Sequence, residues 1–446
     1  MKSVVSSCVL FLMVPSILWA AESSVGLKEA LFLAMERNHL VSGASYEKEA
    51  AERGAAASWS RYFPRIFLDE SFAVSNSPTR VFMMKLDQGR FASDDFLIGN
   101  LNGPSSRTDF RTTVSVEQPI FDLGIGYGRH LAEREAEQQG ERYEGRREEV
   151  GYAVYAAYLE VQRARAVLAT AEKDVAEARE HLRVARARNE QGAGLKSDEL
   201  RARTFLSEME ERNITALNDL RLAKMRLALA VGGGAGESLD IREEVKGEPF
   251  RMNEDEMVRE ALLRRRDLKG AEKGMERAET AEGLARSAWF PTLYAGASYQ
   301  MNDQDVPFGR DNDAWSAGVS LRWELFDGRR RSNDQARARA SRDASAQYLE
   351  QLRKEIALQV RESILRRAEA GKRLEVARHA LLAADEGMRL VNKRFENGLS
   401  TVVELLDSQS ALSRARTGLV ERETEYLLAT ARIYRAAGVF LKEMTE

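Results

Sequence analysis

Few side chains in this sequence are spaced to do chemistry. Glu404 and Asp407 follow Gly398 and lie three apart, so a helix carries both on one face. Carboxylates crowded together raise one another's pKa and attract cations. Taken alone, the pair is also two solvated surface acids in a chain with 70. The four histidines, His39, His130, His181 and His379, have no metal-ligand spacing. There is no Walker loop, dinucleotide fingerprint or HExxH motif. Enzymatic catalysis is not expected, and neither a cofactor nor a metal is implied.

The chain has 446 residues, 43% of them hydrophobic and 31% charged, with mean hydropathy -0.44. That length suits two or three ordinary domains, and the apolar content argues against disorder. A net charge of -3 gives no electrostatic case for nucleic-acid binding. Lys2 precedes an apolar run from Val4 to Leu18 that ends at Trp19, Ala20 and Ala21. This pattern predicts a secretory signal peptide over 1–21, cleaved after Ala20 or Ala21, with an uncleaved anchor as the alternative. The sole cysteine, Cys8, falls inside it, so the mature chain is expected to have no disulfide and no thiolate metal site. Elsewhere no stretch approaches the roughly 18–20 apolar residues of a spanning helix.

Proline usage shows which elements must position these residues. Of eight prolines, none lies in 120–248 or 308–446. Proline is excluded from helix interiors, so these tracts read as long helices. Val154, Val161, Leu168, Val175 and Leu182 recur every seven residues, each followed three later by alanine. The same seam returns in Leu374, Leu381, Met388 and Phe395, and in Leu405, Leu412, Leu419, Tyr426 and Ile433. A strict heptad favours left-handed supercoiling, and alanine lets helices approach closely. Gly192 and Gly398 end the first helix of each pair, which predicts two antiparallel hairpins. A helix over 129–190 would extend roughly 90 Å.

Four segments alternate with period two, over about 65–76, 109–120, 292–300 and 314–326. In the last, Trp315, Ala317, Val319, Leu321 and Trp323 oppose Ser316, Gly318, Ser320, Arg322 and Glu324. About ten residues is the length of a tilted transmembrane strand. Trp59, Trp289, Trp315 and Trp323 lie on or beside these strands, with Tyr62, Phe63, Phe121, Phe290 and Phe326 at their ends. Such aromatics form girdles at membrane interfaces, although a soluble sheet with one buried face has the same alternation. The signal peptide and the cysteine-free mature chain favour the membrane. Four strands cannot close a barrel. Two copies would pool eight strands and three would pool twelve; the polar inner faces favour three.

The chain also repeats itself. Phe63-Pro64 precedes the first strand and Phe290-Pro291 the third. Pro119-Ile120-Phe121-Asp122 ends the second strand and Leu325-Phe326-Asp327-Gly328 the fourth. Gly192 with Asp198 matches Gly398 with Glu404, and Leu27 to Asn38 is echoed by Val258 to Asp267. The halves span 22–230 and 254–446, joined by a linker over 231–253. The loop between the first two strands, about 77–108, carries Val81, Phe82, Met83, Met84, Phe91, Phe96, Leu97 and Ile98 and is expected to pack over the outer mouth or against its neighbours. Arg329, Arg330 and Arg331 read as a solvated helix start, with contact to lipid headgroups as the alternative.

This order of elements, the Phe-Pro entrances, the Phe-Asp exits and the glycine-tipped hairpins resemble the TolC-like outer membrane efflux protein (outer membrane factor) family over essentially the whole mature chain. The resemblance implies a mainly α fold with a membrane β-barrel. Three chains share twelve strands, continued by a coiled-coil α-barrel in the periplasm of a Gram-negative bacterium. It implies a passive exit duct, with a periplasmic adaptor (membrane fusion) protein, an inner-membrane pump of RND, ABC or MFS type and outer-membrane lipid as partners. It places Glu404 and Asp407 in acidic rings that narrow the periplasmic aperture. Gly192-Ala193 and Gly398-Leu399 match the tip turns to which adaptors dock. The family's type member is held shut by a tyrosine–aspartate bond and an arginine pairing. The matching positions here are Phe395 with Asp198, and Ser400 with Ser197. Phe395 has no hydroxyl and Ser400 no charge, so closure by packing and the acidic ring is expected instead. A type I protein secretion channel shares the architecture. A soluble periplasmic coiled-coil adaptor would share the hairpins but not the strands.

Overall fold

The computed structural model describes residues 23–234, 236–247 and 253–445. The expected signal peptide lies outside them, as does part of the expected linker. The first half runs β1 (Ser23–Val25), α1 (Leu27–Arg37), α2 (His39–Ser58), β2 (Arg65–Ser75), α3 (Pro78–Asp87), α4 (Ile98–Asn102), β3 (Arg107–Phe121), α5 (Leu123–Glu190) and α6 (Lys196–Val231). After β4 (Leu239–Ile241) come α7 (Glu254–Arg264), α8 (Arg266–Ser287), β5 (Thr292–Asp303), β6 (Asn312–Arg322), α9 (Arg330–Glu396), α10 (Val402–Ala436) and α11 (Phe440–Thr445).

These elements form two compact units, and neither is a sequence half. Of the described residues, one unit contains those within 23–42, 147–258 and 359–445; the other contains 43–146 and 259–358. Each draws on both repeats.

In the first unit the heptad seams are core. Val154, Val161, Val175, Ala178 and Ala185 of α5 are buried, as are Leu405, Leu412 and Ile433 of α10. Val175, Ala178, Phe205 and Met209 of the first hairpin pack with Met388, Phe395, Val402 and Leu405 of the second. Alanine at the second seam position lets the backbones close up, so the larger residue of one helix fills the gap. A second cluster joins Tyr155 and Leu159 to Leu427, Ala431 and Phe440. The segment read as a linker contributes structure: β4 pairs in parallel with β1. Gly232 ends α6 at φ +101, and a Cβ there would lie 2.6 Å from the Arg37 backbone. Only glycine combines that conformation with that approach.

In the second unit β2, β3, β5 and β6 form one antiparallel sheet in that order. Register makes the two faces explicit. Leu68 lies opposite Val114, Val114 opposite Tyr299, and Tyr299 opposite Trp315. One residue along, Phe67, Ser115, Ser298 and Ser316 lie in line on the other face. One face is therefore an apolar band and the other mostly polar. Glu70 interrupts the band, and its carboxylate accepts the Thr112 hydroxyl. The register shifts between Pro119 and Phe121, where proline cannot donate to the ladder.

Three expectations differ in detail. The last strand ends at Arg322, so Trp323 to Asp327 lie beyond it. The loop over 77–108 holds α3 and α4; its apolar residues fall at helical spacing, with Val81 and Met84 buried and Phe82, Phe91 and Phe96 stacked edge to face. Arg331 is 3% exposed rather than solvated.

Candidate gate and docking tips

Both hairpin tips turn through a glycine in the left-handed region, Gly192 at φ +71 and Gly398 at φ +74. At the first, the Ala193 N–H donates to the Arg188 carbonyl at 2.9 Å. At the second, the Gly398 N–H donates to the Phe395 carbonyl at 3.0 Å. A Cβ at either glycine would meet nothing within 4 Å, so the glycines answer to backbone conformation and not to crowding. Leu399 is 68% exposed beside its turn, and Ala193 is exposed too.

The helix that follows the second tip is capped by its own acid. The Thr401 hydroxyl accepts the Glu404 N–H at 3.2 Å. The Glu404 carboxylate in turn accepts the Ser400 hydroxyl. That bond, first, and the Thr401 backbone hold the Glu404 carboxyl below the usual range. Thr-x-x-Glu is the capping-box signature, readable in the sequence. Glu404 thus has a structural duty besides any charge it lends to an aperture. Asp407 is exposed one turn further on.

The first tip has no side-chain cap. Leu195 is its N-cap and offers no side-chain acceptor. Asp198, three residues on, makes no side-chain hydrogen bond or ion pair among the described residues. Glu199, 4% exposed, ties this turn together through side chains instead, receiving Lys196 at 2.7 Å and Asn189 at 2.8 Å. The Lys196 ammonium, first, then holds its carboxyl below the usual range.

The latch positions are not joined to one another. No hydrogen bond links Phe395 to Asp198 or Ser400 to Ser197 among the described residues. Phe395 is buried in the seam and is met by Arg188, whose guanidinium lies 4.1 Å from its ring centroid. Arg188 also donates to the Phe395 carbonyl at 2.7 Å and to that of Glu396 at 3.3 Å. Sequence reasoning missed Arg188, and no local signal marks it, since its partner is 207 residues away.

About three turns above, a polar layer crosses the same seam. Ser413 donates to Asp174 at 2.5 Å, and Arg416 donates to Glu177 at 3.0 Å and to Asp174 at 3.3 Å. Gln409 donates to Glu177 as well. Burial pushes the Asp174 carboxyl up, with Ser413 and Arg416 opposing.

The strand entrances and exits lie in the other unit. Pro64 and Pro291 each stand immediately before a strand. The two Phe-Asp exits turn strands into long helices. Asp122 accepts the Gly124 N–H at 2.8 Å and the Tyr294 hydroxyl at 2.7 Å. Asp327 accepts the Arg331 N–H at 2.9 Å and its guanidinium at 2.8 Å. Arg331 is buried because that carboxylate, the Ala288 carbonyl and the Trp289 ring all use it. Gly328 sits at this corner with φ +66. The aromatics here, Trp59, Phe63, Phe121, Trp289, Phe290, Trp323 and Phe326, are exposed.

Among the described residues no group of acids, histidines or cysteines could hold a metal ion. No described helix is long and apolar enough to cross a membrane.

The family model described as "Outer membrane efflux protein" matches residues 31–233 and 257–439. The outer membrane efflux protein BepC of Brucella suis is 26% identical over 358 residues, 75% of this chain and 74% of that protein. The solvent efflux pump outer membrane protein SrpC of Pseudomonas putida is 23% identical over 55% of this chain, and the match spans about half of SrpC, 53%. The CmeC outer membrane channel of Campylobacter jejuni has the same fold, with a TM-score of 0.80 at 13% identity, over 100% of this chain and 97% of that one. The chain belongs to the outer membrane efflux protein family, a family of TolC-like ducts and not of enzymes. It is an outer-membrane component of an efflux system, with a large periplasmic part.

Proposed function

We propose that the chain is the passive exit duct of a tripartite efflux system, formed by three copies. The observation that carries this is the sheet. Each residue of β6 is exposed in the single chain, and nearly all of β2 is as well. Both are edge strands with unpaired N–H and C=O groups. Such edges are not tolerated in lipid, so the sheet has to be completed by other copies of itself. Three copies pool twelve strands, with the Leu68–Val114–Tyr299–Trp315 face towards lipid and the serine line towards the lumen.

In this reading the long helices wall the periplasmic duct. Gly192-Ala193 and Gly398-Leu399 receive the tips of an adaptor protein that links the duct to an inner-membrane pump. Glu404 and Asp407 line the aperture, and a ring of three copies of each selects for cations by charge. Residues 22–230 and 254–446 act as two outer membrane efflux repeats.

The test is the mass of the detergent-extracted particle from outer membranes, corrected for bound detergent. Three chains are expected. A monomer in the soluble periplasmic fraction would favour a soluble sheet and an adaptor role.

A further inference from the structure

At the tips, one cationic side chain ties the first hairpin to the second. Arg188 lies in the last turn of α5, and its guanidinium reaches the end of α9. It does two things there. Its N–H groups donate to the Phe395 and Glu396 carbonyls, at 2.7 and 3.3 Å. Its face lies over the Phe395 ring at 4.1 Å.

The chemistry suits the place. The last carbonyls of a helix lack partners within it and carry the negative end of its dipole, so a cationic donor satisfies both. A planar guanidinium can stack and donate at once, which an ammonium does poorly. Phe395 is 4% exposed and sits in the seam between the hairpins, so the contact acts on a fixed target.

The clasp is also wired to both docking turns. The Phe395 carbonyl that receives Arg188 also receives the Gly398 N–H at 3.0 Å. The Arg188 carbonyl receives the Ala193 N–H at 2.9 Å. Any partner that reshapes either turn changes the donors or acceptors of the residues that form the clasp.

We propose that Arg188 is the positioning residue that clasps the two hairpin tips together in the closed aperture, and that deforming the Gly398 turn releases it. This rests on the duct reading above. It assigns to Arg188 and the Phe395 ring and carbonyl the holding role that no Phe395–Asp198 or Ser400–Ser197 hydrogen bond supplies within the chain.

The experiment is channel recording of the purified full-length protein in planar lipid bilayers. Arg188→Ala is expected to raise the open-to-closed ratio about tenfold, which is about 1.4 kcal/mol. Arg188→Lys keeps charge and a donor but loses the stacking, and is expected to fall between wild type and Arg188→Ala. Asp198→Ala is expected to match wild type. Particle mass is measured for each variant; if Arg188→Ala fails to assemble, Arg188→Gln against Arg188→Lys decides in its place. Arg188 variants that gate like the wild type overturn the clasp while leaving the duct reading intact. A particle that conducts neither as wild type nor in any Arg188 variant overturns the duct reading itself.

Discussion

Glu404 shows how one residue serves two scales. Its carboxylate closes the cap of α10 through Ser400 and Thr401, while its exposed position leaves its charge at the tip. Thr401→Ala removes the acceptor for the Glu404 N–H and is expected to cost about 1 kcal/mol of local stability. Faster hydrogen exchange at the first α10 amides, with the particle mass unchanged, is the reading to look for. His181 offers a pH test. It lies on α5 near Glu177, Glu180 and Gln409; burial is the main influence and lowers its pKa from 6.5, with those neighbours opposing. A folded pKa below the unfolded one means that its neutral form contributes stability above pH 6.5. That contribution is lost as the pH falls through the lower folded value. Seam amides in the wild type should therefore lose protection on acidification, and His181→Leu should lose less. Asp174, which burial pushes the opposite way, titrates in both proteins, so the difference isolates the histidine.

At the scale of elements, the tip turns carry the functional argument. A Cβ at Gly398 meets nothing within 4 Å, so a side chain there starts into open space, where the docking reading puts the adaptor. Its φ of +74 adds a strain of about 1 kcal/mol for a non-glycine residue, too little to unfold a 67-residue helix and its 35-residue partner. Gly398→Trp is expected to leave the protein inserted in the outer membrane and to abolish pump-dependent efflux, measured by substrate accumulation in whole cells. Normal efflux would remove the docking role from this turn. The hairpins themselves were legible in the sequence, because heptad spacing and the glycine stops are local. The end of the fourth strand was less so. Trp323 and Leu325 continue the apolar alternation, yet the ladder stops at Arg322, where β5 begins opposite it at Thr292.

At the scale of the molecule, the open sheet edges make the strongest demand. Cysteines at Leu68 on β2 and Val319 on β6, in a chain freed of Cys8, give a direct test with a bifunctional thiol reagent. If the edges of neighbouring copies meet in a closed ring, the cross-linked bands should stop at three chains. A ladder that runs on would mean an open array, and bands stopping at two would mean an eight-stranded ring.

The sequence by itself determined the repeat, the hairpins and the two faces of each strand, because each is written in spacing along the chain; the order of its motifs carried the resemblance to the family. Heptads and period-two alternation need only local geometry to be read. Tertiary structure alone decided which polar groups meet. It buried Arg331 against Asp327 and Trp289, joined Asp174 to Ser413 and Arg416, and brought Arg188 to the end of α9. It also divided the chain into units that cut across the repeat. Apart from Asp327 and Arg331, which are four apart, these pairings join residues distant in the chain, where no periodicity records which side chain will face which. Low-dielectric burial then decides whether a given charge is solvated or held.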